Sequence, residues 1–240
     1  MYKYDLHVHD NACSKCASST PEEQVRAYAA KGMNGFVSTN HFIHGNTTVS
    51  RDLPWKERML AYYASYERAK AEAEKIGDFT VMFGVEHAYA GGREVLLYGV
   101  DIEFLIAHPE LRNMRIVEFC DLMKKNGVLC ITAHPFRVRP YNDESVKCDP
   151  DFVSGVEVFN IGNANDEENA KALEYAKSGN YIMTSGGDIH VSADNHIGKA
   201  GIATEYPIHD IYELVETLKS GTYKLIVRDK ILSKDELSFR

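Results

Sequence analysis

No stretch of this 240-residue chain approaches the roughly 18 consecutive apolar residues of a membrane span, which argues against a helical membrane protein. The first residues, Met1-Tyr2-Lys3-Tyr4-Asp5, lack the apolar centre of a secretory signal. Cysteine is sparse and scattered. The five residues, Cys13, Cys16, Cys120, Cys130 and Cys148, are odd in number and belong to a chain long enough to bury a core without covalent staples. Reduced thiols in a soluble, cytoplasmic protein are therefore expected. Positive charge is also in deficit: a formal net charge of -8 leaves no broad basic surface on which to hold a duplex by its phosphates. A short phosphorylated substrate stays compatible, because bound cations reverse the local field. No Gly-x-Gly-x-x-Gly and no P-loop follows any strand-like run, which argues against a nucleotide cofactor. No Pro-, Gly- or Ser-rich linker, low-complexity tract or internal repeat marks a boundary, so residues 1–240 are read as one domain.

What the chain has is a 44% share of hydrophobic residues, sufficient for one substantial core, arranged in an alternating pattern. Strand-like runs fall at 3–8, 35–39, 79–85, 95–99, 128–133, 155–159, 181–185 and 223–227. Helical runs fall at about 21–31, 54–75, 116–125, 167–177 and 211–218. Thr20 ahead of Pro21-Glu22-Glu23 supplies a cap, an N1 proline and two acids suited to the positive end of the helix dipole. Gly32, Gly77, Gly127 and Gly179 each follow a helical run, where a left-handed residue usually closes the turn. This alternation predicts a parallel α/β architecture.

The polar residues that carry chemistry stand at the ends of those runs. His7 and His9 close the first strand, His41 the second and Glu86 the third; His134 follows a later strand, and Asp188 with His190 follow another. In a closed or nearly closed α/β barrel the carboxyl ends of the strands share one face, where such barrels place their active sites. With ten histidines in the chain, about 0.4 His-x-His pairs are expected by chance, so the pair alone carries little. Its position carries more, because strand alternation turns His7 and His9 to the same side. Five imidazoles with two carboxylates are a ligand set for a divalent metal ion. His87, beside Glu86, would point the other way if its strand continues, and His108 and His209 read as loop and cap residues. His44 and His196 are close in sequence to His41 and His190 and are candidate substrate contacts.

In order along the chain, Asp5-Leu6-His7-Val8-His9, Thr39-Asn40-His41, Gly84-Val85-Glu86, Ala133-His134-Pro135-Phe136-Arg137 and Gly186-Gly187-Asp188-Ile189-His190 resemble the motifs of the polymerase and histidinol phosphatase (PHP) family. The resemblance runs from Tyr4 to about Gly201, and Gly155-Val156-Glu157-Val158-Phe159-Asn160 adds to it. It implies a distorted (β/α)7 TIM-like barrel and one to three divalent ions per chain, zinc, manganese or iron. By the same resemblance, His7, His9, Glu86 and Asp188 bind one ion, Glu86 bridges to a second that His134 also binds, and His41 and His190 bind a third. Glu86, His134 and Arg137 become the catalytic group, with Arg137 as a bidentate phosphate contact. The implied activity is that of a metal-dependent phosphoesterase hydrolysing a small phosphomonoester, histidinol-phosphate-like or a nucleotide monophosphate, by metal-bound hydroxide. The alternatives are a phosphodiesterase or short-oligonucleotide exonuclease, or a metal-binding regulatory domain without turnover.

Two positions depart from the family pattern. The usual ligand after the His-x-His pair has no clear counterpart in 10–19, where Asp10, Cys13 or Cys16 is the candidate replacement. The usual histidine in the strand after the Glu motif is also absent; Glu94-Val95-Leu96-Leu97-Tyr98-Gly99 stands there instead. The Cys13-Ser14-Lys15-Cys16 box has no partner pair and no helix behind it that would make it a redox or structural zinc motif. Oligomeric state is left open.

Overall fold

The computed structural model of the protein describes residues 1–143, 146 and 152–239, so the Cys148 thiol lies outside the described residues. In chain order the elements are β1 (Tyr2–Val8), α1 (Pro21–Ala30), β2 (Gly35–Ser38), α2 (Trp55–Ile76), β3 (Thr80–Tyr89), β4 (Arg93–Tyr98), α3 (Ile102–Ala107) and α4 (Ile116–Lys125). Then follow β5 (Leu129–Ala133), β6 (Gly155–Asn160), α5 (Asp166–Lys177), β7 (Ile182–Gly186), β8 (Ala200–Thr204), α6 (Ile211–Ser220), β9 (Lys224–Val227) and β10 (Lys230–Leu232). Among the described residues no helix is long and apolar enough to cross a membrane.

Local chemistry explains where the elements begin and end. Thr20 caps α1 in a capping box with Glu23, and Pro21 takes the first turn. Gly32, Gly77 and Gly127 have φ of 69°, 98° and 81°, in the left-handed region expected after a helix. Gly179 does not, and α5 closes on Ser178 in a right-handed conformation.

All ten strands join one sheet in the order β10-β9-β8-β1-β2-β3-β4-β5-β6-β7. The expectation of a purely parallel sheet is corrected: β4 is antiparallel to both β3 and β5, and β8 to both β1 and β9. The physical reason at β4 is connection length. Only residues 90–92 separate it from β3, with Gly91 and Gly92 at φ 71° and 67°, and so short a link permits a hairpin but no parallel crossover. The ten strands and six α-helices of the described residues do not follow a strict (β/α)7 repeat, and β8, β10 and α3 were not anticipated.

The sheet curls on itself. Val8 forms a parallel bridge with Ile189 just past β7, the Asp188 amide donates to the His7 carbonyl at 2.7 Å, and Ser185 Oγ donates to Ile226 O of β9 at 2.7 Å. Tyr4, Leu6, Leu96, Tyr98, Ile131 and Val158 fill the core that this curl creates. A second apolar layer packs α2 and α4 against the sheet through Met59, Tyr62, Phe83, Leu97, Phe119 and Met123. Each such side chain fully buried contributes roughly 1.5–3 kcal/mol, and the result is a rigid frame for the strand ends.

Candidate metal centre

The curl brings together residues at the ends of β1, β2, β5 and β7 with Glu86, which does not close its strand as expected but lies inside the longer β3, bridged to His41 just past β2. His7, His9, His41, Glu86, His134, Asp188 and His190 form one cluster, with a contribution from Glu94 that the sequence reading missed. Ligand atoms lie within 4.8 Å of one another in four overlapping groups: His9, His41 and His190; His7, His134 and Asp188; His7, His9 and Glu86; and His41, Glu86 and Glu94. Glu86 is central. Its carboxylate oxygens lie 3.0 Å from His7 Nε2, 2.7 Å from His41 Nδ1, 3.3 Å from His134 Nε2 and 3.5 Å from His9 Nε2. Asp188 Oδ1 faces His9 Nε2 at 3.2 Å and His7 Nε2 at 3.6 Å.

Glu94 lies 3.4 Å from His41 Nδ1 and 3.5 Å from His134 Nε2, two of the rings that Glu86 also meets. Glu94 is the second residue of β4, and because β4 runs against its neighbours its first residues lie at the end of the sheet where β3 and β5 finish. The signal was an acid two residues before Leu96 and four before Tyr98, on the face that points into the core.

A layer of buried partners fixes the rings. His7 Nδ1 donates to Glu157 Oε1 at 2.9 Å, which leaves Nε2 toward the cluster. Glu157 Oε2 also accepts from the His134 amide at 2.8 Å and from Asn160 Nδ2 at 2.9 Å. Ser14 Oγ donates to Asn40 Oδ1 at 2.8 Å and accepts from the His41 amide at 3.1 Å. Its contact with His9 Nδ1 at 3.1 Å must then be accepted as well, so His9 carries its proton on Nδ1 and keeps a lone pair on Nε2. His134 and Asp188 hold φ of 29° and 54°, an uncommon conformation for non-glycine residues and one that clusters at functional sites.

The charges are interdependent. Burial opposes a positive charge on His7, but the carboxylates of Glu157, Asp188 and Glu86 outweigh it and raise its pKa well above the ordinary value. Burial likewise opposes charge on His41, and Glu86 outweighs it. His9 goes the other way: burial and the neighbouring His190 and His41 rings lower it well below the usual range, so it is neutral. Burial disfavours the Glu86 carboxylate, yet His7 and His41 hold its pKa well below normal. Three carboxylates thus pull positive charge into a dry site.

The remaining sequence candidates divide. Arg137 is buried, with Nη1 on Asp188 Oδ2 at 2.5 Å, Nη2 on Asn160 Oδ1 at 2.7 Å and Nε on Asn163 Oδ1 at 2.9 Å. Three of its five N–H donors are thereby used, and it steadies Asp188. His44 donates from Nε2 to Arg112 O at 2.9 Å and His196 pairs with Asp194 at 3.1 Å, so neither is among the clustered ligand atoms. His87 turns away as expected and is buried, stacked on Phe119 at 4.0 Å. Of the three candidate replacements after the His-x-His pair, Asp10 is turned to Asn40 Nδ2 at 2.6 Å and Ser65 Oγ at 2.7 Å. Cys13 is buried and donates to Tyr62 O. Only Cys16 touches the cluster, with Sγ 3.2 Å from His41 Nε2.

The residues fit a bound metal. His7 Nε2, His9 Nε2, His41 Nδ1 and Glu86 Oε2 are buried and make no aligned hydrogen bond, although imidazole and carboxylate approach to 2.7–3.5 Å, an arrangement that a cation between them would complete. The imidazole and carboxylate donors are those that divalent transition metals take.

The sequence matches no family model and no curated protein. Solved structures do match its fold. A two-domain protein from Bacteroides vulgatus, described as containing a PHP-like metal-dependent phosphoesterase, aligns at TM-score 0.69 and 17% identity over 96% of this chain and 66% of its own. A protein from Bifidobacterium adolescentis described as a metal-dependent phosphoesterase aligns at TM-score 0.54 and 14% identity, over 91% of this chain and 96% of its own. The lesion-specific endonuclease PfuEndoQ from Pyrococcus furiosus aligns at TM-score 0.59 and 13% identity, over 93% of this chain and 57% of its own. The chain thus spans less than two thirds of the length of the first and third of these proteins. Its fold is that of the PHP-like metal-dependent phosphoesterases.

Proposed function

We propose that the chain is a metal-dependent hydrolase of phosphoric esters and that its substrate is a small phosphomonoester of the histidinol-phosphate or nucleotide-monophosphate kind. The observation that carries this reading is the set of four buried ligand atoms on His7, His9, His41 and Glu86 that make no aligned hydrogen bond although they are gathered in one cluster. In this assignment His7, His9, Glu86 and Asp188 hold one ion; Glu86, His134 and Glu94 hold a second; His41 and His190 hold a third. Zinc, manganese and iron all suit such donors. Ions held there would supply an acidified water and neutralise charge on the phosphoryl oxygens.

The protein's own side chains supply orientation. Glu157 and Ser14 fix which nitrogens of His7 and His9 are offered. Arg137 holds Asp188 and keeps two N–H donors for a phosphoryl oxygen. Burial of the cluster excludes bulk water and strengthens each of these interactions. The net charge of -8 favours a small substrate over a long polyanion.

A second reading, cleavage of a phosphodiester in a short oligonucleotide, is favoured by the fold match to a lesion-specific endonuclease. Assays of the manganese- or zinc-loaded protein on a monoester and a diester of the same leaving group separate the two. Cleavage of the monoester is expected. Cleavage of the diester alone supports the second reading, and less than one metal per chain with neither ester cleaved removes both in favour of a binding domain without turnover.

A further inference from the structure

We infer that Cys16 is a metal ligand in this chain, its thiolate joining the imidazoles of His41 and His190 to form a sulfur-containing position that selects zinc or cobalt over magnesium or manganese. The inference rests on the metal-centre reading above and concerns only which residue completes it. Cys16 Sγ lies 3.2 Å from His41 Nε2. Ligand bonds of about 2.3 Å to sulfur and 2.0 Å to nitrogen at a tetrahedral angle put the two donor atoms about 3.5 Å apart, so the observed separation needs only a small adjustment. The two nitrogens of His41 have different neighbours: Nδ1 faces Glu86 and Glu94, whereas Nε2 faces the thiol. His190 turns Nδ1 to the Asp188 carbonyl at 2.8 Å, and its ring also meets the Cys16 thiol. His9, whose buried Nε2 makes no aligned hydrogen bond, stacks on His190 with centroids 4.2 Å apart, so the exposed residue Cys16 borders a packed group of imidazoles.

The loop that carries Cys16 is held on both sides. The Lys15 amide donates to Asn46 O at 2.9 Å, Ala17 to Ser14 O at 3.1 Å, and Ser18 to His190 O at 3.1 Å. Ser14, two residues earlier, forms an antiparallel bridge with Thr47. The thiol is thereby tied to the same backbone that carries His190, and its distance to the ring is a property of the fold. Asp10 and Cys13 are committed elsewhere, to Asn40 with Ser65 and to Tyr62 respectively. A thiolate in the ligand set favours soft and borderline ions, and magnesium or manganese takes oxygen donors instead.

Cobalt(II) substitution tests the assignment directly, because a thiolate bound to cobalt produces a charge-transfer absorption in the near ultraviolet that nitrogen and oxygen ligands do not. The band is expected in the cobalt-loaded protein and absent from Cys16→Ser, which should also hold one ion fewer per chain by elemental analysis. Sulfur scattering at the metal edge of the unaltered protein is a second readout that needs no variant. Full cobalt loading without the band and without sulfur scattering overturns the thiolate ligand and leaves the metal centre standing. A band that persists in Cys16→Ser overturns it as well. A protein that takes up no cobalt overturns the metal centre itself, so the two failures are distinct.

Discussion

Glu157 Oε1 accepts a hydrogen bond from His7 Nδ1 at 2.9 Å, between two side chains without solvent exposure. The contact fixes which ring nitrogen His7 offers to the cluster and raises its basicity, the role of a carboxylate behind a ligating histidine. Glu157→Gln keeps the shape and removes the charge. Metal affinity is expected to fall roughly 10- to 100-fold, measured by competition with a chromophoric chelator; an unchanged affinity would show that Glu157 serves only the fold.

Glu86 and Glu94 face the same histidines unequally. Glu86 approaches four imidazoles at 2.7 to 3.5 Å, whereas Glu94 approaches two at 3.4 and 3.5 Å. Glu86→Ala is expected to lose most of the bound metal and Glu94→Ala only part, by elemental analysis after gel filtration. Equal retention in the two variants contradicts the bridging role assigned to Glu86.

Gly186 sits where a side chain has no room. A Cβ there would collide with Glu157 Oε1 and lie 2.6 Å from His7 Cβ. Gly186→Ala should therefore push apart the His7–Glu157 pair, lowering metal content and costing roughly 1–3 kcal/mol as an overpacked core does. Chemical denaturation and metal analysis on the same sample check both effects; full metal content at native stability counts against this packing.

His87 provides a pH dependence outside the ligand cluster. Burial against Phe119, with a smaller push from His44, lowers its pKa from 6.5 to about 3. Above pH 6.5 the ring is neutral in both states and its full contribution is present. As pH falls from 6.5 toward 3 the unfolded chain takes a proton that the native chain refuses, and stability drops by about 1.4 kcal/mol per pH unit for this group. His87→Leu should flatten that part of the stability profile relative to the unaltered protein, measured by urea unfolding at several pH values. Parallel profiles would show that His87 is protonated without cost.

Much of the candidate site was legible in the sequence because its metal-ligating residue types follow strand-like runs, and strand period and motif spacing are local properties. His7, His9, His41, Glu86, His134, Asp188 and His190 were named from that pattern, and the structure clusters all seven. Most helix limits were readable for the same reason, since caps such as Thr20 and closing glycines such as Gly32 act within one turn. Glu94 was hidden because its role depends on the direction of β4, and direction is decided by which strands pair. The choice among Asp10, Cys13 and Cys16 was equally closed to sequence reading. All three lie within seven residues, and only the tertiary packing, with Ser65 from α2 beneath Asp10, Tyr62 over Cys13 and His41 beside Cys16, assigns a different environment to each. Sequence by itself determined which candidate ligand types exist and that most of them stand near strand ends, Glu86 inside the longer β3 excepted; the curl of the sheet and the reversed β4 decided which of them meet, because meeting is a matter of long-range contacts that no local pattern encodes.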